Sequence, residues 1–428
     1  MGGLISAPLT AAGTCLGGCF GSCMATGCCK LAGSGTVSTA RAARFVLIWL
    51  QVFIAALALF LSATAVEWLP GTCEKMDSVG MGGVGICNCR SSAEPSDLCW
   101  QDQMIYRSEA SGCIVFAALM FMTFSGCAQG AARSHAVAKF MAVVLLIFIS
   151  LFLPNKWATA FGSVATAASA IFLVAQAVLL IDFGYAWNEL WYSNAIEARR
   201  REVGQRSYRL WLGAMLLASA SMTIGGLIMS VYFYVVFPDT GSRAVNVTAM
   251  VLSVVFLMVS ITDWCEHGAL LTSSVVIAYT TWLISEALAV VPTGTPLQLP
   301  AWAGLSLCSL SLLSTAGGAG GWGSSSSGSA ESTAPAATAS PSLIAAAEAG
   351  EVDRHSAQAD ESADQSEAWR FGAQCGVHAS AALYVAAELA PRTGSATFGL
   401  RVAAVFLSLV LYGWSLVAPK VLTGRRFN

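Results

Sequence analysis

Apolar runs of about twenty residues recur along the chain, separated by short stretches that hold most of its charges. About twenty residues is what an α-helix needs to cross the hydrocarbon of a bilayer. The pattern predicts ten such spans, near 45–66, 111–130, 136–154, 158–183, 210–237, 244–262, 269–291, 301–315, 371–390 and 398–419. The eighth is short and Ser-rich, and the ninth contains Gln374, His378 and Glu388. Pro70, Pro154, Pro238, Pro292, Pro300, Pro391 and Pro419 stand at or near span ends, where a helix stops at low cost.

One stretch changes character within a turn. From Ile171 to Phe183 only Gln176 and Asp182 are not apolar; the next nine residues add Tyr185, Trp187, Asn188, Glu189 and Trp191. Trp and Tyr prefer the headgroup level, and a carboxylate is far cheaper there than at the bilayer centre. The fourth helix is therefore expected to leave the hydrocarbon near Asp182 and to continue into the wet region. Asp182 and Glu189, seven residues apart, share a helical face. Two readings apply. The pair anchors the helix end against the basic run Arg199–Arg209, or it lines a polar seam that a zwitterionic headgroup enters. Small residues at Ala158, Gly162, Ala165 and Ser169 are placed to bring helices close together.

Composition agrees with a polytopic membrane protein. Of 428 residues, 56% are hydrophobic and 11% charged, where an ordinary soluble chain has about a quarter charged. A net charge of −2 gives no nucleic-acid signal. The first run, Phe45–Val66, is too long and too far from the start for a secretory signal, so it reads as a retained span. Lys30, Arg41, Arg44, Arg133, Lys139, Arg199, Arg200, Arg201, Arg206, Arg209, Lys420, Arg425 and Arg426 fall on one side of the predicted spans. Lys75, Arg90, Arg107, Lys156, Arg243 and Arg392 fall on the other. The positive-inside rule then puts both termini in the cytoplasm.

That topology divides the chain. Residues 1–44 form a cytoplasmic Cys-rich segment, and 45–315 hold spans one to eight with an exoplasmic loop at 67–110. Residues 316–367 are expected to be a disordered cytoplasmic loop, Ser/Gly-rich and then acidic. Residues 368–428 hold the last two spans and a short tail. Cys73, Cys87, Cys89 and Cys99 in the exoplasmic loop read as two disulfides with three possible pairings. A metal site is the rival, with no His or clustered carboxylates to support it. Cys15, Cys19, Cys23, Cys28 and Cys29 stay reduced on the other side. They are candidates for S-palmitoylation or simple packing, and Gly2 with Ser6 fits the N-myristoylation pattern. Asn246 opens a glycosylation sequon at the start of the sixth span, close to the membrane.

No enzyme motif is present: the chain lacks G-x-x-x-x-G-K-[ST], H-E-x-x-H and G-x-S-x-G, and His135, His267, His355 and His378 are isolated in sequence. The expectation is a non-enzyme without cofactor or metal. Ionisable residues in or beside spans then become the candidates. Besides Asp182 and Glu189 they are Glu286, for which an interfacial position near Pro292 serves nearly as well, His378, read as a hydrogen-bonded bundle residue, and Glu388 with Arg401, which flank one short exoplasmic turn.

LLIDFGYAWNELW resembles the LLIDFAHSWNExW stretch of the serine incorporator (Serinc, TMS/TDE) family. The closing LYGWSLVAPKVLTGRRF is similar to that family's YLWTLVAPxLLxxRxF ending, and Cys99–Arg107 (CWQDQMIYR) to its C…AVYR segment. The resemblance implies two helical bundles bridged by a long oblique helix that would contain Ile171–Tyr192. It also implies phospholipid handling, as a passive scramblase or carrier tied to phosphatidylserine and sphingolipid synthesis. The alternatives are a serine carrier or scaffold for lipid-synthesis enzymes, and a structural membrane-organising protein that transports nothing. Membrane phospholipids, serine and those enzymes are the implied partners, and self-association is left open. Tyr185, Trp187 and Asn188 join Asp182, Glu189 and Glu286 as candidates for the lipid or substrate path. The ninth span and Glu286 depart from the family's pattern.

Overall fold

The computed structural model describes residues 36–78, 85–91, 96–125, 135–200, 205–262, 269–291, 301–317, 345–390 and 395–421. Among them are ten α-helices and one 3-10 turn. They are α1 Thr36–Asp77, the turn Gly85–Ser91, α2 Ser96–Phe124, α3 Ala136–Ser150, α4 Asn155–Arg200, α5 Gln205–Val236, α6 Thr240–Ile261, α7 Leu270–Ala289, α8 Ala301–Gly317, α9 Ala345–Leu389 and α10 Ser395–Val421. Each predicted span falls in its own helix, and the chain is an all-α, multi-pass membrane protein. Seven helices (α1, α2, α4, α5, α6, α7 and α10) are long and apolar enough to cross a membrane, while α3 and α8 are shorter apolar helices. The polar residues of the ninth span lower the apolar character of α9.

Phe121, Val137, Ile171, Leu217 and Val235 stand exposed on outer faces, the arrangement expected where the surrounding solvent is lipid. The main apolar window of α5 is 11% buried, against 89% for α7. α5 is thus an outer helix and α7 a sheathed one. Being sheathed lets α7 carry Thr272, Ser273, Ser274, Thr280, Thr281, Ser285 and Glu286, all buried, because these groups meet other helices instead of acyl chains.

Two apolar cores organise the bundle. The first joins Leu47, Leu50 and Ile54 of α1, Phe116 and Leu119 of α2, Val143 and Ile147 of α3, and Phe371 and Cys375 of α9. The second joins Phe172 and Leu180 of α4, Phe233 of α5, Ala249 of α6, Tyr279 and Leu283 of α7, Leu312 of α8, Tyr384 of α9, and Val405 and Tyr412 of α10. α9 enters both. α4 enters the second, and its Ala158, Gly162, Ala165 and Ser169 are all buried on one face. Ala158 and Ala165 pack with Ile105 and Tyr106 of α2 and with Ala386 and Ala390 at the end of α9. At Gly162 a Cβ would stand 2.6 Å from the Tyr106 ring, so glycine is what allows this approach. The 46 residues of α4 span about 69 Å at 1.5 Å per residue, more than twice the roughly 30 Å hydrocarbon.

The expected loop at 67–110 is mostly helix. α1 runs through Pro70 to Asp77, and α2 begins at Ser96, so the connection shrinks to the 3-10 turn and its flanks. Pro70 removes one N–H bond without ending the helix. Cys73 pairs with Cys87, and Cys89 with Cys99. These bridges fix the pairing that the sequence left open and set aside a metal site built from these cysteines. Ala65, Leu69, Ile86, Trp100 and Met104 bury the two disulfides in a small core of their own. Gly85 has φ 63°, and any Cβ there would collide with the Leu151 carbonyl. The next N–H, of Ile86, donates to that carbonyl at 3.2 Å and seats the turn on the end of α3.

Two further expectations are corrected. The acidic segment before span nine was expected to lack regular structure, but α9 begins at Ala345, so 345–367 is helical. Its Ala and Glu content favours that state. Arg44 of α1 holds Glu367 at 3.0 Å. Asn246 is buried: its amide donates to the Ser230 carbonyl at 2.8 Å and accepts from the Ser230 hydroxyl at 3.0 Å. An α5–α6 clasp of this kind leaves no room for a glycan. Gly2 and Cys15, Cys19, Cys23, Cys28 and Cys29 lie outside the described residues, as does 318–344.

Candidate functional site

One face of α4 is buried from Ala158 to Gly184; beyond Gly184, only Ala195 is fully buried. The helix therefore leaves the bundle within a turn of Asp182, where its sequence changes. At Gly184 a Cβ would lie 3.1 Å from Thr272 of α7, which marks the last tight contact. Asp182, Tyr185, Trp187 and Asn188 are half-buried and Glu189 is exposed. The structure thus gathers these five candidates on one length of helix at the margin of the bundle. Aromatic groups flank them. Trp187 packs edge-on against Trp191 at 5.2 Å, Trp191 meets Trp211 of α5 at 6.0 Å, and Arg199 lies over the Tyr208 ring at 5.6 Å. Such rings are suited to the headgroup level.

Further into the bundle, Gln176 is fully buried, and the Tyr279 hydroxyl lies 3.2 Å from its Oε1 and donates to the Leu173 carbonyl at 2.6 Å. Beside this pair is an apolar crevice lined by Ala177, Leu180, Ile181, Val275, Val276 and Thr280. Half-buried Asp182 and exposed Glu189 form a polar line along one face of α4, while enclosed Gln176, six residues before Asp182, faces about 120° away toward Tyr279.

Glu286, on α7, is not part of this line. It sits enclosed near the end of α7, where Arg401 of α10 donates to its Oε2 at 2.7 Å and to its carbonyl at 2.6 Å. Glu388 of α9 lies 3.6 Å from the same guanidinium. The sequence anticipated the Glu388–Arg401 pair and missed Glu286, because a distance between helices leaves no trace in spacing. His378 is fully buried, its Nδ1 donates to the Gln374 carbonyl at 2.8 Å, and its ring packs against Phe116 at 5.3 Å.

Two groups were misplaced by the sequence reading. Arg107, assigned to an exoplasmic loop, is fully buried in α2 and donates to the Leu153 carbonyl at 2.8 Å and Asn155 Oδ1 at 2.9 Å. Asn155 in turn reaches Cys89 Sγ at 3.5 Å. Glu109, two residues further along α2, is fully buried with Gln51 of α1 at 3.5 Å. The signal that could have found them is the Cys99–Arg107 block itself. Cys99 closes a disulfide, Tyr106 joins α4 and donates to the Ala390 carbonyl at 3.2 Å, and Arg107 ties α2 to the α3–α4 turn. Among the described residues no three His, Cys, Asp or Glu side chains are grouped as a metal site would require.

Known proteins supply the remaining observation. The sequence model of the family described as "Serine incorporator (Serinc)" matches residues 17–314. A "Probable serine incorporator" of Monosiga brevicollis is 25% identical over 210 residues, covering 45% of this chain and 42% of that protein. "Serine incorporator 3" of Mus musculus is 25% identical over 240 residues, 53% of this chain and 48% of that one. "Membrane protein TMS1" of Saccharomyces cerevisiae is 28% identical over 163 residues, 36% and 33% of the two chains. The matches thus span between a third and a half of these relatives' lengths. Asp182, Glu189 and Glu286 lie inside the family match, while Glu388 and Arg401 lie beyond its end. With the family match covering most of a chain whose long α4 carries LLIDFGYAWNELW at the margin of the bundle, this protein belongs to the serine incorporator family of multi-pass membrane proteins.

Proposed function

We propose that the protein is a passive, ATP-independent phospholipid scramblase or lipid carrier, linked to phosphatidylserine and sphingolipid synthesis, and not an enzyme. The observation that carries this reading is the polar margin of α4, where Asp182, Tyr185, Trp187 and Asn188 are half-buried and Glu189 is exposed at the point where the helix leaves the bundle. A headgroup crossing bare hydrocarbon loses its hydration without return; polar side chains beside the lipid replace part of it while the acyl tails stay in the bilayer. Aromatic side chains at Trp187, Trp191 and Trp211 hold that margin at headgroup depth. By the distribution of Lys and Arg this end of α4 faces the cytoplasm, as do both termini.

The test is reconstitution into liposomes carrying headgroup-labelled phospholipid in both leaflets, without ATP. An impermeant quencher that removes the label from the inner leaflet as well as the outer supports the reading. Quenching confined to the outer leaflet, as in protein-free liposomes, excludes it and favours a serine carrier or scaffold for lipid-synthesis enzymes.

A further inference from the structure

Glu286, Glu388 and Arg401 are enclosed together where α7 and α9 end and α10 begins, their side chains 4%, 11% and 6% exposed. One guanidinium faces two carboxyl groups: Arg401 lies 2.7 Å from Glu286 Oε2 and 3.6 Å from Glu388 Oε2. Fully ionised, the cluster would hold an uncompensated negative charge. Such a charge costs several kcal/mol even after relaxation around it. Among the described residues the Tyr279 phenol of α7 and the Tyr384 phenol of α9 face the cluster; the Cys308 thiol of α8 lies beside both phenols and within the field of Glu109 of α2. Tyr106 of α2 directs its hydroxyl to the nearby Ala390 carbonyl.

A second observation points to what completes the site. The Tyr384 hydroxyl, 1% exposed, has no hydrogen-bond partner among the described residues. It is directed toward Gly304 of α8, where a Cβ would stand 2.8 Å from the hydroxyl, 3.1 Å from the Trp282 ring and 3.6 Å from Cγ of Glu388. Gly304 of α8 thus closes over the Tyr384 hydroxyl. A hard metal cation needs a cage of several oxygens; a proton needs no cavity.

We propose that this cluster binds one exchangeable proton, shared between the carboxyl groups of Glu286 and Glu388. One carboxylic acid O–H donates to the neighbouring carboxylate, and Arg401 neutralises the resulting monoanion. Protonated, the site joins α7, α9 and α10. Release of the proton leaves two carboxylates against one guanidinium and drives the end of α9 away from α7. Because α9 packs in both cores, this proton links pH to the way the two halves of the bundle meet.

Infrared absorption of wild type, E286Q and E388Q in lipid nanodiscs near neutral pH tests the proposal. Wild type is expected to show a deuterium-sensitive carboxylic acid band that each single variant lacks, since the one carboxylate left then pairs with Arg401. Glu109 is common to the three samples and cancels in the differences. The two variants are independent, so one that fails to fold leaves the other to decide. A band identical in wild type and variant overturns the proposal. So does a wild type without the band whose thermal stability rises with sodium or potassium, an outcome that assigns the site to a metal cation.

Discussion

Gly162→Ala probes the junction on which the arrangement of the two cores depends. An ideal Cβ at Gly162 lies 2.6, 2.8 and 2.9 Å from three atoms of the Tyr106 ring, closer than real contacts allow. The ring has little freedom to yield, because it is 3% exposed and its hydroxyl is bonded to the Ala390 carbonyl. Overpacking of this kind costs about 1–3 kcal/mol, and loss of the hydroxyl bond adds about 0.5–1.5 kcal/mol. Replacing glycine by alanine within a helix returns about 1 kcal/mol. The net expectation is a destabilisation of about 1–3 kcal/mol. Gly213→Ala on α5 is the control: nothing lies within 4 Å of its Cβ, so it keeps only the helical gain and should be neutral or stabilising. Thermal unfolding of the two variants in one lipid or detergent system makes the comparison. If Gly162→Ala is as stable as Gly213→Ala, the tight α2–α4 contact is wrong.

Three further outcomes follow from other parts of the molecule. Removing the Cys73–Cys87 bridge, with both cysteines changed to Ala, should cost about 3 kcal/mol, the value for a loop of this size; thermal unfolding of that variant reads the loss. Asn246→Gln should leave electrophoretic mobility and glycosidase response unchanged while lowering stability, because the Asn246 amide is engaged with Ser230. Arg401→Met should cost about 3–5 kcal/mol by stranding buried carboxyls, and combining it with E286Q and E388Q should recover most of that in the same unfolding assay.

Much of the fold was legible because lipid imposes a length on each helix, and seven of the ten predicted spans met it while the others fell on shorter or more polar helices. The departure of α4 from the bundle was legible too, since Asp182 marks a change in solvent that composition records directly. What the sequence concealed was pairing. Whether Cys73 meets Cys87, Cys89 or Cys99 depends on where the 3-10 turn sits against α3, which Gly85 and the Leu151 carbonyl decide. The partner of Glu286 was hidden as well, since Arg401 reaches it from a helix 115 residues away in sequence. Arg107 was placed in a loop because a charge normally ends a span; its cost is met instead by the Leu153 carbonyl and Asn155. The acidic run before span nine scored as linker by composition, and its alanines carry it as helix.

The central claim is that the polar margin of α4 is the route by which lipid headgroups pass. It is tested most directly by scrambling rates of wild type, Asp182→Ala and Glu189→Ala in ATP-free liposomes, with insertion and folding matched. The account predicts fast wild-type quenching of the inner leaflet, slowed about tenfold in the variants for each 1.4 kcal/mol of headgroup stabilisation lost. Fast quenching that is the same in all three proteins would contradict it and place the lipid path elsewhere on the molecule.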